Sequence, residues 1–295
     1  MKNRWLYWLA VFLVTSVILI GRFTSFPEHW LADRSVDQDV YQDVYQDGSG
    51  NGETRPADPA PHPDQNLIFN QAFSWWFQRQ PDHQAPQIDP LMSKLLQGRG
   101  LWIGDTSKKQ IYLTLDCGYE NGYTAIFLDV LKRHQVTAIF FVTGSYVENN
   151  PELVRRMAAE GHLIGNHSET HPSFPRLSDE EKRQEIQALN QRVEQLTGQT
   201  PRYFRPPSGE FDWRTLSVAR EMGCRTVFWS LAYRDWLVDQ QPGREEARRQ
   251  VLDNVHNGAI ILLHAVSRSN CEAFDQVLSE LKQQGYSFGT LDEIE

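Results

Sequence analysis

The chain has 295 residues, 40 % of them hydrophobic and 23 % charged, enough apolar surface to bury a sizeable core. Its net charge of −9 at pH 7, with no visible basic face, argues against nucleic acid as a partner, because a phosphate-tracking surface needs clustered Lys and Arg. Three cysteines, Cys117, Cys224 and Cys271, are too few and too scattered for a disulfide framework or a CxxC motif.

At the N-terminus, Lys2 and Arg4 precede a run of 16 residues, Trp5 to Ile20, that carries no charge. As a helix it covers roughly 24 Å, slightly less than a hydrocarbon core of about 30 Å. The following GRFTSFPEHW has no A-x-A cleavage pattern, and the basic end favours the cytoplasmic side. The expectation is a membrane anchor over 1–22, single-pass, with the rest of the chain outside the cell; a secreted protein is the alternative if the segment is cleaved. From 23 to 65 the chain reads as a flexible acidic spacer. Residues 21–65 hold nine Asp and Glu against three Arg, a net of −6, and the stretch DQDVYQDVYQD then GSGNGETRPADPAPHPDQ is too poor in aliphatics to repay ordering. About 30 such residues reach on the order of 30 Å.

Residues 66–108 regain aromatics in FNQAFSWWFQRQ, followed by prolines and an apolar LMSKLL. This is an N-terminal extension expected to pack on the main domain, with a sugar-stacking aromatic platform as its functional alternative. Over 109–295, β-rich runs alternate with helical stretches. Strands are predicted at IYLTLD, TAIFFV, LIGNH, YFRPP, RTVFWS, AIILLH and YSFGTL. Helices are predicted at 125–134, 151–160, 179–196, 213–222, 245–256 and 271–284. Ser178 with Glu181 three residues on is a capping box, and Gly198 stands where a C-cap glycine belongs. Regular βα alternation implies a parallel sheet, and seven strands an α/β fold: a distorted, roughly seven-stranded (β/α) barrel, closed or nearly so.

Such a barrel builds its site where strands end. The ends are polar here: Asp116-Cys117 after the first strand, His167 and His171 after the third, Arg205 after the fourth, Asp235-Trp236 after the fifth and His264 after the sixth. Singly, each reads as a helix cap, a structural histidine or a surface arginine. Their recurrence at one end of successive strands is what caps and surface groups have no reason to show. His167 and His171 have an i, i+4 spacing that lets two imidazoles share a divalent ion on a helix or wide turn.

The segments LTLDCGYENGY, NHSETH, FRPPSGEFD, YRDW and LLHAVS resemble, in order, the five motifs of the polysaccharide deacetylases, the NodB homology domain or carbohydrate esterase family 4. The wordings GYENGYT, RPPSG and LLHAVS look closest to the peptidoglycan branch that makes muramic δ-lactam in spore cortex. The resemblance implies hydrolysis of the N-acetyl amide of a sugar in peptidoglycan, N-acetylmuramic acid first, with a divalent metal, zinc being the leading choice; a monomer acting on glycan strands is the separate expectation for its partners. It implies that Asp116 is the general base, His264 the general acid, that Arg205 orients Asp116, and that Asp235 holds and tunes His264. His167 and His171 become metal ligands. Cys117 stands where most of the family has a second Asp, and is carried as a third ligand through its thiolate. The rivals are a GlcNAc- or chitin-type deacetylase and a non-catalytic, wall-binding barrel.

Overall fold

A computed structural model describes residues 71–294. The expected anchor over 1–22, the spacer over 23–65 and the first residues of the 66–108 extension lie outside the described residues. Among the described residues no helix is long and apolar enough to cross a membrane.

The extension contributes β1 (Phe73–Ser74), α1 (Pro90–Leu96) and β2 (Gly100–Leu101). Then come β3 (Gln110–Cys117), α2 (Thr124–His134), β4 (Ile139–Val142), α3 (Gly144–Asn149), α4 (Pro151–Ala159) and β5 (Leu163–Asn166). The second half holds α5 (Asp179–Thr197), β6 (Tyr203–Phe204), β7 (Glu210–Phe211), α6 (Trp213–Glu221) and β8 (Arg225–Val227). It ends with α7 (Arg244–Leu252), β9 (Ile260–His264), α8 (Arg268–Gln283) and β10 (Ser287–Gly289). All seven expected strands form. The capping box on α5 is closed in both directions, and Gly198 ends that helix at φ 74°. Sequence periodicity missed α3, because six residues are too few to show a helical period; Thr143 caps it by accepting the Tyr146 N–H at 3.2 Å.

β3 is the pivot, pairing in parallel with β4, β9 and β10. The sheet then continues β4-β5-β6-β8-β2. Leu231, just past β8, bridges Ile261 of β9 and so brings the two ends of the curl together. Lower on the same seam, β2 runs parallel to β8, and Ile103 bridges Ala259. An eighth strand, from outside the βα repeat, therefore helps fill the gap between β8 and β9, which gives a distorted barrel.

Side chains alternate across β3 as its pleat requires. Ile111, Leu113, Leu115 and Cys117 face outward into the main cluster with Phe127, Leu131, Phe274 and Leu278 of the covering helices. Tyr112 faces inward with Ile139, Phe141, Tyr203, Val227 and Ile260. Both faces are buried, as a parallel sheet demands.

The extension packs through its aromatics. Phe73 pairs with Phe211, Trp75 stacks on Phe228 at 4.5 Å between centroids, and the Trp75 indole N–H donates to the Trp229 carbonyl at 2.9 Å. Phe73 and Trp75 thus serve packing, and Trp76 alone of the Trp75-Trp76 pair is exposed. The backbone N–H of Trp75 donates to the Gly209 carbonyl at 2.8 Å, where a Cβ on Gly209 would meet Trp75 Cβ at 2.9 Å. The extension therefore presses on the FRPPSGEFD loop that carries Arg205.

Candidate active site

Asp116 and His264 are register partners on neighbouring strands, at the C-terminal end of the sheet. Each is held by its own buried partner, so a carboxylate and an imidazole stand side by side with separate supports.

Beside Asp116, Arg205 is fully buried and donates from Nη1 to Asp116 Oδ1 at 2.6 Å. Its Nη2 donates to Thr114 Oγ1 at 2.9 Å, its Nε to the Val227 carbonyl at 3.2 Å, and its guanidinium lies 4.1 Å from the Phe141 ring centroid. Thr114 in turn donates to the Ile261 carbonyl at 2.7 Å, tying the cluster to β9. Burial would raise the Asp116 pKa, but the charge of Arg205, aided by the nearby imidazoles, overcomes it and holds the carboxyl below its usual range. Asp116 is thus a carboxylate at neutral pH, with Oδ2 free of the arginine.

Beside His264, Asp235 is buried, and its Oδ1 lies 2.7 Å from His264 Nδ1. A carboxylate only accepts, so Nδ1 carries the proton and Nε2 is left outside that bond. The backbone N–H of His264 and the amide of Asn270 both donate to Asp235 Oδ2. Burial would lower the His264 pKa, yet Asp235, by charge and hydrogen bond, and Asp116 beyond it raise it above the ordinary value. The protonated ring is therefore held more firmly than a free imidazole would be. Trp236 is exposed beside it, with ring centroids 5.3 Å apart, and Tyr119 is exposed after the end of β3.

His167 and His171 come together on a turn, not a helix. Ser168 and His171 both sit at positive φ, 68° and 60°, and the turn is held by Asn166 Oδ1 on the Ser168 N–H at 2.8 Å and Ser168 Oγ on the His171 N–H at 2.9 Å. Left-handed non-glycine residues cost of order 1–3 kcal/mol each and cluster at functional sites. The two rings lie 4.9 Å apart, nearly perpendicular. His167 Nδ1 is 2.8 Å from the Arg205 carbonyl, so it carries the proton, and burial drives the pKa down to about 4. Its Nε2 is then a bare lone pair facing Asp116 Oδ2 at 3.5 Å. Two acceptors so placed suit a shared cation or a bridging water.

Cys117 does not join them. β3 runs one residue beyond its expected end, so the pleat turns the thiol outward into the apolar cluster. Burial, then the charges of Asp116 and Glu120, push its pKa well up, which keeps it a thiol and not a thiolate ligand. Among the described residues no cluster of three His, Cys, Asp or Glu is assembled for a metal. The donors fit a two-imidazole site beside Asp116, and not a three-ligand site including Cys117. Cys117→Ala is expected to leave the metal content of the purified protein unchanged by elemental mass spectrometry; a fall would return the thiol to the ligand set.

Residues 103–227 match the polysaccharide deacetylase family. Over 229 residues the chain is 43 % identical to the peptidoglycan-N-acetylmuramic acid deacetylase PdaA of Bacillus subtilis, covering 77 % of this chain and 87 % of the relative. The chain belongs to the polysaccharide deacetylase family. The solved structure of Bacillus subtilis PdaA, a family 4 carbohydrate esterase, superposes with a TM-score of 0.74 at 42 % identity, over 76 % of this chain and 97 % of that one. A family 4 pseudoenzyme from Bacillus anthracis is 34 % identical, with a TM-score of 0.62 over 65 % of this chain and 67 % of that one. The resemblance read from the five motifs is thereby confirmed, and the polysaccharide deacetylase assignment makes this chain a hydrolase of amide bonds.

Thr114, Tyr233, Gln241 and Asn270 were not legible as site residues. Thr114 sits inside an apolar strand and reads as a β-former, Tyr233 opens the YRDW segment but reads as an aromatic neighbour of Asp235, and Gln241 and Asn270 lie outside the five motif segments.

Proposed function

We propose that this deacetylase removes the N-acetyl group from N-acetylmuramic acid in peptidoglycan. The reaction is carried by one observation: a buried carboxylate held by Arg205 beside an imidazole held by Asp235, on adjacent strands at the C-terminal end of the sheet. Asp116 takes a proton from the attacking water, and His264 delivers one to the departing amine. Amine expulsion from a tetrahedral intermediate needs that proton, because an amide anion is a very poor leaving group. His167 and His171 would hold a divalent ion, zinc first, which when bound polarises the amide carbonyl and its water. The exposed Tyr119 and Trp236 flank the site and suit stacking on sugar faces.

The sugar assignment rests on the similarity to the muramic acid deacetylase. An amine freed at muramic acid lies beside that sugar's own lactyl carboxyl, the pair from which a δ-lactam of spore cortex closes. Anchoring by the N-terminal segment, with the barrel outside the membrane, would put the site next to this glycan.

The test is mass spectrometry of glycan fragments after incubation with the full-length chain, with and without added zinc. Loss of acetyl from the muramic residue is expected, with further loss of water where the ring closes. Loss from GlcNAc alone would overturn the sugar assignment. No loss under any metal would favour a binding barrel, the reading that similarity to a pseudoenzyme supports.

A further inference from the structure

The support of the acid does not stop at Asp235. Asn270 is 3 % exposed and lies in the first turn of α8. Its Nδ2 donates to Asp235 Oδ2, and its Oδ1 accepts from the Tyr233 hydroxyl. The direction of this chain is dictated by chemistry. A carboxylate only accepts, so the amide must turn its NH2 to Asp235, which leaves its carbonyl toward a phenol that must then donate. Burial and the charge of Asp235 raise the Tyr233 pKa strongly, so the phenol keeps its proton.

A second tie fixes the same pieces. Gln241 Nε2 donates to the Asp235 carbonyl at 2.8 Å and the Leu237 carbonyl at 3.0 Å. Its Oε1 accepts from Ser267 Oγ at 2.8 Å and the Ser269 N–H at 2.9 Å. Ser267 Oγ accepts the Asn270 N–H at 3.2 Å. The first turn of α8 is thus clamped to the loop that carries Asp235.

We propose that Asn270, backed by Tyr233, is a positioning residue for the deacetylation, setting the rotamer of Asp235 and through it the aim of the His264 imidazole. Asn270 reaches His264 only through Asp235. The inference rests on the acid role proposed for His264.

The test uses the full-length chain. Asn270→Ala is expected to fold, to lower kcat for acetate release about 10- to 100-fold, and to leave KM within about twofold, since substrate is not touched. Tyr233→Phe should lower kcat several-fold alone and add nothing in the Asn270→Ala background, as members of one relay do. Without substrate, the low-field proton resonance of the His264 Nδ1–H bound to Asp235 should shift in both variants. Wild-type kcat and an unmoved resonance in Asn270→Ala overturn the proposal. If Asn270→Ala does not fold, Tyr233→Phe decides by the same two readouts. A wild-type chain that releases no acetate overturns the function reading instead, and the resonance then judges the relay by itself.

Discussion

Asp116→Asn is expected to release acetate about 10²- to 10⁴-fold more slowly than the unaltered chain, the range general base catalysis supplies. Asn is isosteric, and its amide oxygen can still accept from Arg205 Nη1, so shape is kept while charge and basicity are lost. The loss should fall on kcat, a barrier of about 3–5 kcal/mol, with substrate affinity nearly unchanged. Kinetics of acetate release at saturating glycan, alongside circular dichroism, checks it. A rate within a few-fold of wild type would remove Asp116 from the role of base.

Arg205→Met carries the largest expected effect on stability. Arg205 is fully buried and bonded to Asp116, to Thr114 and to the Val227 carbonyl. Met keeps volume against Phe141 but strands the Asp116 carboxylate without its cation. Removing one partner of a buried pair costs about 3–5 kcal/mol. The pH dependence follows in sign. In the unaltered chain the Asp116 pKa is lowered, so its contribution to stability is present above the ordinary carboxylate range and is lost as pH falls through the folded-state value. In Arg205→Met, burial acts without the guanidinium, and the carboxyl is easier to bury protonated. The destabilisation should therefore be largest near neutral pH and shrink in acid. Urea unfolding of both proteins at about pH 7.5 and about pH 4.5 tests this. A deficit equal at both would place the effect in packing against Phe141 rather than in charge.

The two effects are linked through one loop. Arg205 leads into the Pro-Pro-Ser-Gly turn, whose Gly209 carbonyl is held by the backbone N–H of Trp75 and whose exit strand β7 pairs with β1. The extension thus bears on Asp116 from outside the βα repeat, much as α8 bears on His264. Pre-organised supports of this kind keep a site within the narrow geometric tolerance that chemistry needs.

Much of this protein was determined by local sequence. Strand and helix periods are set by neighbours a few residues apart, so all seven strands of the barrel were readable, as were the capping box at Ser178 and the stop at Gly198. The polar strand ends were readable for the same reason, because Asp116, His167, Arg205, Asp235 and His264 each interrupt or follow an apolar run. Tertiary structure alone decided the rest. Whether β3 kept its pleat for one residue past Asp116 could not be read from IYLTLD, and that one residue turns Cys117 away from the histidines. The seam between β8 and β9 takes a strand from the extension, a pairing across more than a hundred residues that no local period records. Asn270 reaches Asp235 from 35 residues away, only because the first turn of α8 packs on the 235–241 loop. Hydrogen bonds between distant segments depend on where the folded chain brings them, and not on what stands beside them in the sequence.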